Sequence, residues 1–140
     1  MRFTTVIIVS ALMLPLAACT QAPTRENVKG ATASTKAKAT TADYRRYIKG
    51  NAGVFSSASV YDWNAPDPNH VVVWTSPAEA YLLTLFGACF GLDSVQTILL
   101  SGDGGTVRAG AAAVMVGSER CPIQTVERLD ARAMKTDGVH

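Results

Sequence analysis

Ala80 to Phe86 reads Ala-Tyr-Leu-Leu-Thr-Leu-Phe, seven residues that are almost continuously apolar. Such a run is too short for a typical buried helix, and unbroken apolarity is what a strand shows when both of its faces are covered. This segment is therefore expected at the centre of a sheet that carries material on both sides. Ser76-Pro77 separates it from His70-Val71-Val72-Val73-Trp74-Thr75. The turn formers Asn64, Pro66, Asp67, Pro68 and Asn69 separate that run in turn from Val60-Tyr61-Asp62-Trp63. The pattern predicts a hairpin with a longer loop. Further on, Gln96 to Leu100 and Thr106 to Ala109 flank Gly102-Asp103-Gly104-Gly105, whose residues tolerate positive φ and suit a turn. Val114-Met115-Val116 and Ile123 to Leu129 complete a set of about seven short strands at intervals near ten residues. The last is open, because Ile123, Val126 and Leu129 recur at a spacing of three and also suit one face of a helix. The expected fold is mainly β, a small antiparallel β sandwich or partly open barrel. A short helix carrying Tyr44, Tyr47 and Ile48 and ending near Gly50 would precede it, and a mobile tail over Arg132 to His140 would follow.

The N-terminus has a different composition. Arg2 is followed by an apolar run from Val6 to Leu16, and 13 of the first 18 residues are apolar. This is the layout of a secretory signal, and the run is shorter than the roughly 20 residues that span a bilayer. Leu16-Ala17-Ala18-Cys19 resembles the lipobox of bacterial lipoproteins. The resemblance implies cleavage before Cys19, a diacylglyceryl group on its thiol and acylation of the new amino group. The partner so implied is a membrane, reached through the lipid on Cys19. Thr20 stands where an Asp would favour the inner membrane, so the expected address is the outer membrane, facing the periplasm. A free Cys19 thiol after an ordinary cleaved signal, or an uncleaved helical anchor, remains open.

Thr20 to Ala42 contains one Val and no Leu, Ile, Phe, Trp or Tyr. Such a stretch buries too little apolar surface to offset chain ordering, so it reads as a flexible tether. The expected organisation is thus signal 1–18, lipidated cysteine and tether 19–42, and β domain 43–140. The chain carries a net charge of +2, yet the residues from Asp43 onward hold eight Lys and Arg against ten Asp and Glu. A mildly acidic domain lacks the basic footprint of a nucleic-acid binder, and no nucleic-acid partner is expected.

With Cys19 assigned to lipid, Cys89 and Cys121 remain, in a compartment that is oxidising if the signal reading holds. A disulfide between them is expected. The alternative, a reactive or metal-binding pair, has neither a Cys-x-x-Cys spacing nor more than His70 and His140 to assist it.

Val71 to Leu83, Gly87-Ala88-Cys89-Phe90-Gly91-Leu92, Cys121-Pro122-Ile123 and Leu129-Asp130 together resemble a family of small uncharacterised proteobacterial lipoproteins, the domain-of-unknown-function family numbered 6491. The resemblance spans about residues 60 to 130. It implies an envelope location and a paired Cys89 and Cys121, and it implies no activity.

The sequence has no Gly-x-Ser-x-Gly elbow, Walker loop or His-Glu-x-x-His. Gly102 to Gly105 lacks the lysine of a phosphate loop. No cofactor and no metal are expected. Asp62, Asp67, Glu79, Asp93 and Asp103 lie near predicted strand ends, where they would suit a hydrolase only if they converged in space. Tyr61, Trp63, Trp74, Tyr81, Phe86 and Phe90 cluster in one third of the chain, either as core or as the lining of a pocket. The candidate ligand-pocket set is Trp63, His70, Trp74, Glu79 and Tyr81. The expected role is a non-catalytic binding or structural module for an unknown envelope protein or small ligand. An inhibitor of cell-wall hydrolases and a small carboxylate hydrolase are the alternatives.

Overall fold

A computed structural model describes residues 38–140. The expected signal 1–18, Cys19 and the expected tether through residue 37 lie outside the described residues. Among those described, no helix is long and apolar enough to cross a membrane.

The elements run α1 (Thr41–Arg45), β1 (Ile48–Asn51), β2 (Phe55–Ser56), β3 (Asp62–Asp67), β4 (His70–Ser76), β5 (Glu79–Leu85), β6 (Leu99–Ser101), β7 (Thr106–Val107), β8 (Ala113–Val116), β9 (Glu119–Asp130) and α2 (Ala131–Thr136). A short 3₁₀ turn at Ser57–Ser59 lies between β2 and β3. Seven strands form one curled antiparallel half-barrel in the order β3-β4-β5-β9-β8-β6, with β1 also on β9. β2 and β7 pair separately. The fold is mainly β, and of the two expected architectures it is the partly open barrel.

β4 and β5 explain the unbroken apolar runs. Val71, Val73, Tyr81, Leu83 and Leu85 point into the concave core with Phe55, Val107, Val114 and Ile123. Val72, Trp74, Ala80 and Leu82 point the other way, under Tyr44, Leu129, Ala131 and Met134. Successive residues of a strand face opposite sides, so a strand covered on both needs apolar side chains at every position.

The open segment 123–129 is strand, within the 12-residue β9. Its spacing of three has two causes. Thr125 pairs with Thr84 and Ile123 with Leu85, so Gln124 is an extra residue, a bulge that puts Ile123 and Val126 on the same face. Leu129 then falls on the opposite face, beneath the helices.

Five further expectations are corrected. The β3–β4 loop shrinks to Pro68-Asn69, because Asn64 to Asp67 belong to β3. β3 is an edge strand with an irregular register between Asn64 and Asp67, which is where a Pro such as Pro66 is tolerated. The Gly102–Gly105 turn forms, with Gly104 and Gly105 at φ of 60° and 77°, but it joins strands of different sheets: β6 pairs with β8 and β7 with β2. A Cβ on Gly102 would lie 2.0 Å from the Thr106 carbonyl oxygen, so only glycine fits this approach. The N-terminal helix stops at Arg45, and Ile48–Asn51 is a strand because Ile48 gains a partner in Leu129. Folded structure also starts before residue 43, since the Asp43 carboxylate accepts from the Thr40 amide at 3.0 Å and from its hydroxyl at 2.8 Å.

The last correction concerns the tail. Asp130 caps α2 by accepting from the Ala133 amide, and Met134 is fully buried. After Gly138 at φ 72°, the ring of His140 stacks on Trp74 with centroids 4.8 Å apart. Cys89 and Cys121 sit at disulfide distance, with Cα atoms 5.7 Å apart, joining the end of β5 to the start of β9.

Candidate functional site

Among the described residues the outer edge of β3 has no neighbouring strand, and a groove runs along it. Its first section, about 340 Å³, is walled by Ala65 to Pro68 and by Cys89 to Asp93. A polar middle section lies between Asp62 to Ala65 and the Leu92 to Gln96 stretch. The third, about 480 Å³, is bounded by Val60 to Trp63 and by Gln96 to Leu100. One wall is therefore β3, and the other is the irregular segment 89–100 running antiparallel to it. That second wall is held by buried Leu92 and by Cys89, whose amide donates to the Pro68 carbonyl at 2.8 Å. At the same corner the Phe90 amide donates to Glu119 at 3.3 Å.

The two end sections carry exposed apolar side chains. Tyr61, Phe90 and Leu99 are 59%, 75% and 68% exposed, and all three line the groove. Exposed apolar side chains that line a concavity, unlike ones scattered over a convex surface, mark an interaction surface.

Of the predicted pocket set, only Trp63 lies in this groove. His70 sits behind it: a guanidinium only donates, so Nε2 accepts from Arg45 at 3.3 Å, and Nδ1 carries the proton and donates to Asp67 at 2.8 Å. With both ring nitrogens engaged, this Asp-His pair secures α1 to the β3–β4 turn. Trp74 is on the opposite face under His140, and Tyr81 is core, stacked on Phe55 with centroids 4.6 Å apart. Glu79 lies at the far end of β5 from the residue opposite His70 and pairs with Arg128. The five residues thus do not share one pocket.

Three of the five predicted carboxylates, Asp62, Asp67 and Asp93, line successive sections of the groove. Burial raises the Asp67 pKa, but the Thr41 hydroxyl, the His70 ring and the Asn69 amide outweigh it and hold the carboxyl below its ordinary value. A general acid at neutral pH needs the opposite shift. Because the folded-state pKa is lowered, the Asp67 contribution to stability is present above the unfolded value of about 3.9 and is lost as pH falls through the folded one. Urea midpoints at pH 6 and pH 3 should therefore fall further for the parent than for Asp67→Asn. An equal fall in both proteins would contradict this assignment.

Among the described residues, Cys89, Glu119 and Cys121 form a cluster of metal-type donors. Sulfurs joined to each other are not thiolate ligands, so the oxidised pair does not offer this site to a metal. Leu99 was missed from sequence, although the signal existed. Leu99 and Leu100 are adjacent, and neighbouring residues of a strand cannot both face the same side.

The fold and groove define a small antiparallel half-barrel domain whose two outer strands, β3 and β6, flank the groove. The chain belongs to a family of unknown function, DUF6491, whose model matches residues 1–139. No curated protein and no solved structure matches it.

Proposed function

We propose that this protein is a bacterial envelope lipoprotein whose domain acts as a non-catalytic binding module, held at the outer membrane by lipid on Cys19. The observation that carries the binding role is the groove beside β3, where Tyr61, Phe90 and Leu99 stay exposed although the fold has two apolar clusters in which to bury them. The lipobox-like Leu16 to Cys19 supports the anchor. One acyl chain gives a membrane association constant of about 10⁴ per molar, and a second makes attachment stable.

Photoreactive residues placed at Tyr61, Phe90 or Leu99 of the full chain in cells should give a discrete adduct. The same residue at Phe86 or Val54, which are exposed but outside the groove, should not. Absence of adducts at all three groove positions would overturn the binding role. Cys19→Ser should move the protein from the membrane to the soluble fraction; continued membrane residence would overturn the lipid anchor.

A further inference from the structure

We infer that the groove takes an extended, cationic polypeptide segment, which adds to β3 as an eighth strand of the sheet. This deepens the binding reading above and rests on it.

Among the described residues β3 is hydrogen-bonded to β4 alone. The Trp63 amide donates at 2.8 Å to the side chain of Asp62. Across the groove, β6 is bonded only to β8. Between them, the backbone bonds that Ser94 and Val95 donate return to Gly91 within the same segment. Among the described residues the groove is therefore flanked by two outer strand edges that pair with no further strand, and its second wall is held by the Cys89–Pro68 backbone bond and by side-chain packing. An added strand needs about 4.8 Å of lateral room, and five or six extended residues match the length of β3. Main-chain bonds supply affinity in this mode, while alternate side chains supply specificity.

Charge selects the occupant. Asp93 and Asp62 line the walls, the latter also 3.6 Å from His140 Nε2, together with Lys38 and with Asp67, whose carboxylate is already held by Thr41 and His70. Lys or Arg on the wall-facing positions, with apolar residues near Tyr61, Leu99 and Phe90, would complement them. The same acids disfavour pairing of β3 with β3 of a second copy, because like charges would then face one another.

The test uses the full chain in detergent and an acetylated, amidated peptide, Lys-Val-Thr-Val-Lys-Val-Thr, titrated while Trp fluorescence and backbone amide shifts are followed. Saturable binding centred on Trp63 and Ala65 is expected. Alternate N-methylation of the peptide, which removes its edge donors, should weaken binding at least about tenfold. Asp62→Asn with Asp93→Asn should weaken it about fivefold, and Asp103→Asn, outside the groove, should leave it unchanged. A Glu-for-Lys peptide should not bind. Equal binding of the N-methylated or the Glu peptide would overturn the inference, as would self-association through β3 without peptide. If no peptide binds while groove positions still crosslink in cells, strand addition fails and the binding role stands. If crosslinks are absent as well, both fail.

Discussion

Replacing Cys89 and Cys121 together by alanine should lower the unfolding free energy by about 3.5 to 4 kcal/mol, and the Tm by roughly 15 to 30 °C. The bridge spans a sequence separation of 32. Chain-entropy reasoning assigns about that much to closing such a loop in the unfolded ensemble, a large share of the 5 to 15 kcal/mol that typically holds a domain of this size. Alanine is the appropriate replacement because both positions are almost fully buried and a serine hydroxyl would add a desolvation cost. The loss should also be uneven in space. Cys89 anchors one end of the groove wall, whereas β5 is held by strands on both sides. Hydrogen exchange should therefore rise more at Leu92 to Ile98 than at Tyr81 to Thr84. Thermal unfolding with and without reductant is the direct measurement, and an unchanged Tm would refute the bridge as a stabilising element.

Met134→Ala should cost about 2 to 4 kcal/mol, against less than about 0.5 kcal/mol for Lys135→Ala one residue away. Met134 is fully buried beside Trp74, Leu82 and Leu129, whereas Lys135 is exposed. The helix that positions it is only six residues long, too short to persist by propensity. Both of its ends are closed by specific bonds. Asp130 caps the start and also pairs with Lys49 at 2.7 Å. At the other end Val139 donates to the Met134 carbonyl at 2.9 Å and Gly138 to that of Lys135, a Schellman closure with Gly138 in the left-handed region. If the segment after Asp130 were a loose tail, the two substitutions would have equal and negligible effects on urea unfolding.

That contrast shows why parts of the fold were legible and others were not. β4 and β5 announced themselves because covering a strand on both faces demands apolar residues at every position, a pattern visible within seven residues. α2 did not, although Asp130 and Gly138 bracket it, because its burial depends on Trp74 and Leu82, about 50 or more residues away in sequence. β9 looked partly helical because a bulge at Gln124 changes the phase of its alternation. The Gly102 to Gly105 turn was legible, whereas the destinations of its two flanking strands were not, since pairing is decided by partners elsewhere in the chain.

The candidate site divides in the same way. Aromatic and acidic residues in the middle third were visible as composition, and their roles were not. Trp63, Val73 and Tyr81 are neighbours across three strands and face the same core, but only Trp63 lies on the edge strand and reaches the groove. Trp74, one residue from Val73, is carried to the opposite face.

What the sequence alone determined is therefore whatever follows from short-range spacing: a β domain built from short strands, its central strands, its turns, and its distinction from the polar and signal-like segments before it. The tertiary structure alone decided which strand is left at an edge, which acids line it and which aromatic side chains remain exposed. The physical reason is that strand order and sheet curl are set by long-range pairing, and no local pattern encodes them. Only when the outer edge of β3 is left open beside the segment braced by Cys89 do Asp62, Asp67, Asp93, Tyr61, Phe90 and Leu99 line one groove.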